Sequence, residues 1–221
     1  MAQGGITTGK LQRETDPVLV SGTFVEQPDR RQGQRLITIL RVGKMICARN
    51  QELCLIRNIS EGGLMAHVYS PHEVGDRVVI ELKSDECVAG TIRWVQGDNV
   101  GIIFDEKVDV SEVLRNRGLD DGRKPRAPRL EVRGYARLRI GAETWRVEVS
   151  DLSQGGAKVK VDDYLPVDED AVVTIDGLRP VKAVIRWQEG DYVGLEFLPT
   201  IPLEELVQWL GLRRERDERK D

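Results

Sequence analysis

Apolar and polar positions in this chain alternate in short runs rather than at helical spacing. Residues 36–40, 45–47, 53–56, 64–69, 77–82, 88–95 and 100–104 read as strands, with Gly, Asn, Asp or Pro standing between them. A second series follows at 135–140, 146–149, 157–161, 171–175, 181–188 and 192–197. Short strands at such regular spacing predict a small antiparallel barrel or sandwich. Each series closes on a helical signal. Pro202 precedes a segment with Glu204 and Glu205 in its first turn and Leu203, Leu206, Val207 and Leu210 on one stripe, and residues 110–114 form the shorter counterpart.

The two series are copies of each other. Asn58-Ile59-Ser60-Glu61-Gly62-Gly63 returns as Asp151-Leu152-Ser153-Gln154-Gly155-Gly156, an offset of 93 residues. It holds without a gap through Ile92-Arg93-Trp94 against Ile185-Arg186-Trp187, Gly101 against Gly194 and Phe104 against Phe197. Solenoid repeats run at roughly 20–50 residues, so a period of this size predicts a tandem of two small domains. The expected organisation is a flexible arm over 1–26, a first module over 27–116, a linker over 117–128, a second module over 129–212 and a charged tail over 213–221, read as a solvated helix end.

Composition narrows the function. A net charge of −4 and a pI near 5.5, with 5% aromatic residues, argue against a barrel that binds nucleic acid polymers, which needs a basic groove with stacking aromatics. Cys47, Cys54 and Cys87 are odd in number and show no CxxC spacing, so no disulfide framework or zinc site is expected. His67 and His72 have no acidic or cysteine partner at ligand spacing, and no metal site is assigned. His67 alternates with Leu64, Ala66 and Val68 and is placed on an outer face. The chain shows neither a secretory leader nor a membrane-length apolar stretch. A cytoplasmic protein without membrane insertion is expected. With no nucleophile–base set, metal cluster or phosphate-cradling loop, the chain reads as a non-enzyme with no catalytic residues and no cofactor.

Upstream of the first Asn-x-Ser-x-x-Gly lies Asp29-Arg30-Arg31-Gln32-Gly33-Gln34-Arg35. Arg-x-x-x-Arg followed by Asp/Asn-x-Ser-x-x-Gly resembles the signature of the PilZ family, bacterial receptors for cyclic di-GMP. The resemblance continues through the Arg-Trp-x-x-Gly-Asp-x-x-Gly-x-x-Phe stretch and covers both copies. It implies an all-β fold of two tandem antiparallel β-barrels, about six strands each, each followed by a C-terminal helix. It also implies cyclic di-GMP as ligand and Arg30, Arg31, Arg35, Asn58, Ser60 and Gly63 as its contacts. The residue types suit the ligand: guanidinium forks onto phosphate oxygens or guanine O6 and N7 and stacks on purines. Asn58 offers a donor and an acceptor to a guanine edge, Ser60 a hydroxyl, and Gly63 room for a ligand or a turn.

The second copy keeps Asp151, Ser153 and Gly156, but its upstream arginines, Arg126 and Arg129, stand three apart and Pro125 aligns with Arg31. A one-residue slip turns an extended side chain to the opposite side, so this second site is weakened or lost. Trp94 and Trp187 are read as barrel core, with stacking at the rim of a ligand face as the alternative. The leading function is a cyclic di-GMP receptor whose arginine loop closes on the ligand, rearranges the barrels and signals to an unidentified protein partner. By resemblance the output is motility, exopolysaccharide or biofilm. The alternative is a PilZ-like adaptor that binds no nucleotide.

Overall fold

The computed structural model describes residues 37–48, 50–83, 86–114 and 127–218. Both series fold into closed antiparallel barrels of six strands. Barrel 1 comprises β1 (Ile37–Cys47), β2 (Asn50–Ser60), β3 (Gly63–His67), β4 (Arg77–Lys83), β5 (Glu86–Gln96) and β6 (Asn99–Phe104), followed by α1 (Val110–Leu114). Barrel 2 comprises β7 (Leu130–Ile140), β8 (Glu143–Ser153), β9 (Gly156–Lys160), β10 (Asp170–Ile175), β11 (Val181–Glu189) and β12 (Tyr192–Phe197), followed by α2 (Leu203–Glu218). The strand order β1-β2-β3-β6-β5-β4 closes by pairing β4 with β1, and barrel 2 repeats it. Of the barrel-or-sandwich choice left open by the alternation pattern, the barrel is realised.

Two separate runs, 36–40 and 45–47, become one strand because Gly43 continues the chain where a Cβ would meet the Ile56 side chain at 2.8 Å. The barrels close through bulges at matching places. Register shifts fall between Thr38 and Arg41, Ile56 and Asn58, and Ile92 and Trp94, and recur between Glu131 and Gly134, Val149 and Asp151, and Ile185 and Trp187. A bulge bends its strand and reverses the inward–outward alternation beyond it.

Met45, Cys54, Ile56, Ile59, Leu64, Ala66, Ile80, Ile92 and Val100 fill barrel 1. The core of barrel 2 recruits Leu53 from β2, with Val42 packed against it. The seam between the barrels is completed by Gln51 Oε1, which accepts from the Glu131 amide at 3.2 Å, and by Arg214 Nη2 at 3.7 Å from Glu52 Oε2. Helix α2 runs into the charged tail as a helix end, but the start of that tail is packed rather than solvated. Arg213 lies 4.8 Å from the Trp209 ring centroid and donates to the Arg133 carbonyl, and the helix continues through Glu218. Asp109 caps α1, its Oδ1 accepting from the amides of Ser111 (2.8 Å) and Glu112 (3.2 Å). Among the described residues no helix is long and apolar enough to cross a membrane.

Candidate functional site

The Asn-x-Ser-x-x-Gly element lies on the last part of β2 and the hairpin that follows. Ser60 donates its hydroxyl to the Gly63 carbonyl at 3.2 Å and is buried. A Cβ on Gly63 would lie 2.3 Å from the Ile102 carbonyl oxygen, so what approaches this glycine is strand β6. The turn then fastens the chain that leaves β6. The Gly62 carbonyl accepts from the Phe104 amide at 3.0 Å and the Glu61 carbonyl from Val108 at 2.9 Å.

Barrel 2 repeats every part of this device. Ser153 donates to the Gly156 carbonyl at 3.2 Å, a Cβ on Gly156 would lie 2.2 Å from the Leu195 oxygen, and Gly155 and Gln154 accept from Phe197 and Ile201. Serine and the last glycine of the motif are thus part of barrel closure in both copies.

Asn58 differs. On an unbroken strand it would share the inward side with Ile56, but the bulge at Arg57 turns it out and puts Ile59 in the core. Its amide reaches only Met65 Sδ, at 4.0 Å, among the described residues. Sulfur is a weak acceptor, which leaves the amide's hydrogen-bonding capacity for a ligand. The second bulge, at Arg93, does the same to Trp94. Against the expectation of a core residue, Trp94 is 40% exposed and its indole lies over Gly101, where a Cβ would sit 2.0 Å from Nε1. Trp187 lies over Gly194 in the same way.

Strand pairing sets these side chains in rows across the outside of barrel 1. Asn58 faces Met65, Met65 faces Gly101, and Gly101 faces Trp94. In the next row Gly63 faces Ile103, which is 52% exposed and faces Thr91. His67 stands beside them on the outer side of β3, as expected, its ring edge-on to Tyr69 at 4.9 Å. Thr91 also faces Arg77, which forks onto Asp105 (Nη1 to Oδ1 2.7 Å, Nη2 to Oδ2 2.6 Å) and donates to Thr91 Oγ1 at 2.9 Å. That hydrogen-bonded ion pair holds Asp105 below and Arg77 above their ordinary values, and it occupies the guanidinium internally. The result is a partly apolar platform of Met65, Trp94 and Ile103 with the Asn58 amide at its edge and the exposed Arg57 and Arg93 at the two bulges.

The equivalent platform of barrel 2 is charged. Asp151 stands for Asn58, Lys158 for Met65 and Glu196 for Ile103. Arg129 pairs with Asp151 at 3.3 Å, Arg186 with both Glu196 and Asp168, and Lys158 Nζ lies 4.2 Å from the Tyr192 ring centroid. Arg129 is thereby engaged with the acid of its own motif. Arg30, Arg31, Arg35 and Arg126 lie outside the described residues. Met65 and Ile103 escaped the sequence reading as outer-face residues, and Trp94 entered it as one only by the alternative to a core position. The visible clue was Ile56 and Ile59, apolar at an odd spacing that only a bulge reconciles with one core.

No curated protein sequence matches the chain. Among solved structures, it is similar to PlzA of Borreliella burgdorferi in complex with c-di-GMP (13% identity over 82% of this chain and 93% of that one, TM-score 0.37). It is also similar to the inhibitor of motility MotI/DgrA of Bacillus subtilis (14%, 83% and 100%, TM-score 0.35) and to YcgR of Escherichia coli in complex with c-di-GMP (14%, 81% and 85%, TM-score 0.34). The family model for the PilZ domain matches residues 29–117 and again 123–211. On that double match, which takes in both barrels and both motifs, the chain belongs to the PilZ domain family.

Proposed function

We propose that barrel 1 binds cyclic di-GMP and that the chain is a non-catalytic receptor. The observation that carries this reading is the carboxylate-free platform of Asn58, Met65, Trp94 and Ile103 directly beside the motif, where barrel 2 has Asp151, Lys158 and Glu196. A cyclic dinucleotide brings two phosphodiester charges and two large aromatic faces. Its bases gain from apolar and indole surface, and its phosphates are repelled by carboxylates.

In this reading Arg30, Arg31 and Arg35 supply the cationic half of the site from the segment before β1, and Asn58 pairs with a guanine edge. Ser60 and Gly63 hold the hairpin that presents it. Closure of the arginine segment over the ligand then alters the placement of the barrels and signals to a partner protein in the cytoplasm, with motility, exopolysaccharide or biofilm as output. The seam of Leu53 and the Glu52–Arg214 pair is mixed apolar and polar, as in domain pairs that move.

Isothermal titration with cyclic di-GMP tests the reading. The unmutated chain should bind, Arg35→Ala should abolish binding, Asn58→Ala should weaken it by about 1–3 kcal/mol, and Asp151→Ala should leave it intact. Absence of heat and of thermal stabilisation in the unmutated chain would refute the receptor and leave the nucleotide-independent adaptor. That second reading is favoured specifically for barrel 2, whose motif aspartate and platform are ion-paired.

A further inference from the structure

One end of barrel 1 is closed by side chains unlike those that close barrel 2. Cys47 stands at the end of β1, Glu52 shares the inward row of β2 with Cys54 and Ile56, and Ser70, His72 and Asp76 come from the loop between β3 and β4. The 93-residue offset puts Ile140, Trp145, Asp163, Leu165 and Glu169 at these five places. There Leu165 is fully buried, Ile140 and Trp145 pack on the core, and the Trp145 Nε1 donates to Asp163. The fold itself can therefore close this end with apolar side chains. Placing a carboxylate and an imidazole there instead costs desolvation, which the apolar closure of barrel 2 avoids.

The geometry is that of an oriented ligand. The His72 side chain is 6% exposed, its Nε2 lies 2.5 Å from Glu52 Oε1, and its Nδ1 lies 3.5 Å from Asp76 Oδ2. Glu52 Oε2 accepts from the Ser70 hydroxyl, which fixes the carboxylate. With the Nε2 proton directed to Glu52, a neutral imidazole turns the Nδ1 lone pair toward the Asp76 carboxylate, one acceptor facing another. Cys47 completes a triangle: one ligand atom from each of Cys47, His72 and Asp76 lies within 4.8 Å of the other two. A tetrahedral zinc site with bonds of roughly 2.0–2.3 Å has ligand–ligand edges of about 3.3–3.7 Å. The histidine–aspartate separation already matches such an edge.

We propose that Cys47, His72 and Asp76 bind a divalent transition-metal ion of the zinc class, with Glu52 as a positioning residue that holds the imidazole through Nε2. One thiolate, one imidazole and one carboxylate suit a borderline ion, whereas calcium and magnesium select oxygen. A carboxylate behind a ligating histidine sets its tautomer and raises its basicity. Three protein donors leave a fourth position for water, and the 34% exposure of the Asp76 side chain gives the ion access. The ion ties the β3–β4 loop to the end of β1. Because Glu52 also meets Arg214 of α2, the site adjoins the seam between the barrels. This site is independent of the nucleotide platform.

Chelator-stripped, reduced protein is titrated with Co2+ and then Zn2+, followed by absorption spectroscopy and calorimetry. The expected result is equimolar binding with a thiolate-to-cobalt charge-transfer band and the visible d–d bands of a four-coordinate ion, displaced by Zn2+. Cys47→Ser should lose the charge-transfer band, and His72→Gln should lose tight binding. Glu52→Gln should keep the bands while weakening affinity by about 10–100-fold. Cys87→Ser, which removes an exposed thiol, should change nothing. A second measurement needs no variant: Zn2+ should protect Cys47, and not Cys87, from alkylation in the unmutated chain. The proposal is overturned if that chain shows no thiolate band, as an imidazolium merely ion-paired to both carboxylates would give. It is equally overturned if the band survives Cys47→Ser, follows Cys87, or leaves Cys47 unprotected.

Discussion

Gly63→Ala separates two reasons for a glycine at the end of the motif. If the glycine makes room for a ligand, alanine leaves the fold alone and weakens binding. The geometry demands the other result. The new methyl would lie 2.3 Å from the Ile102 carbonyl oxygen and 3.5 Å from the Ile103 Cα, so β6 must retreat by about 0.7–1 Å to restore contact distance. It cannot do so freely, because Ile102 is buried in the barrel core and Gly63 pairs with Ile103 in the ladder. Overpacking of this kind costs about 1–3 kcal/mol, and a weakened ladder hydrogen bond adds about 1 kcal/mol. The expected loss is therefore about 2–4 kcal/mol. Gly156→Ala, at 2.2 Å from the Leu195 oxygen, should lose a similar amount in the copy with the charged platform. Gly155→Ala is the control, since a Cβ there meets nothing within 4 Å, and should stay within about 0.5 kcal/mol. Urea unfolding followed by far-ultraviolet circular dichroism reads all three as midpoint shifts at constant slope. Unchanged midpoints for Gly63→Ala and Gly156→Ala would refute barrel closure as the reason. Loss of cyclic di-GMP binding at full stability would return the glycine to the ligand.

Burial, with the charge of Glu52 added, pushes the Cys54 thiol from 9.0 up to about 12. A raised folded-state value contributes stability that is complete below pH 9 and lost as pH rises toward 12. About 3 pH units at ~1.4 kcal/mol each put the full loss near 4 kcal/mol. Urea midpoints measured from about pH 8 upward should fall less steeply in Cys54→Ala than in the unmutated chain, and equal slopes would disprove the assignment. Leu53→Ala removes a side chain of barrel 1 that is buried in the core of barrel 2 and should cost about 2–4 kcal/mol. The loss should appear in the unfolding of barrel 2, reported by Trp145 and Trp209, and a change confined to barrel 1 would contradict the shared core.

Much of this protein was legible before folding because the determinants are local or repeated. Period-two alternation located the strands, Pro202 and Glu204–Glu205 located the start of α2, and the 93-residue offset exposed two copies of one fold. The motif residues Asn58, Ser60 and Gly63 were singled out together, yet their jobs divide only in three dimensions. Ser60 meets the Gly63 carbonyl inside its own turn, whereas Gly63 meets strand β6, a partner supplied by chain closure rather than by neighbours in sequence.

Trp94 shows why alternation misleads. Counting by twos from Ile92 puts it in the core, and one bulged residue, Arg93, reverses the count and lays the indole on Gly101 outside. The same reversal at Arg57 turns Asn58 outward, so the platform exists only because two bulges fall where they do. Arg213 and Arg214 read as a solvated tail because charge alternation says nothing about which surface a helix end will meet. Spacing along the chain likewise hid Cys47, Glu52 and His72 from one another, since barrel closure joins three segments that no local rule connects. Sequence alone determined the strands, the repeat and the family signature, all of which are written in short-range pattern. Tertiary structure decided the facing of each side chain and the company it keeps, because these depend on bulges and closure, where one residue of register inverts inside and outside.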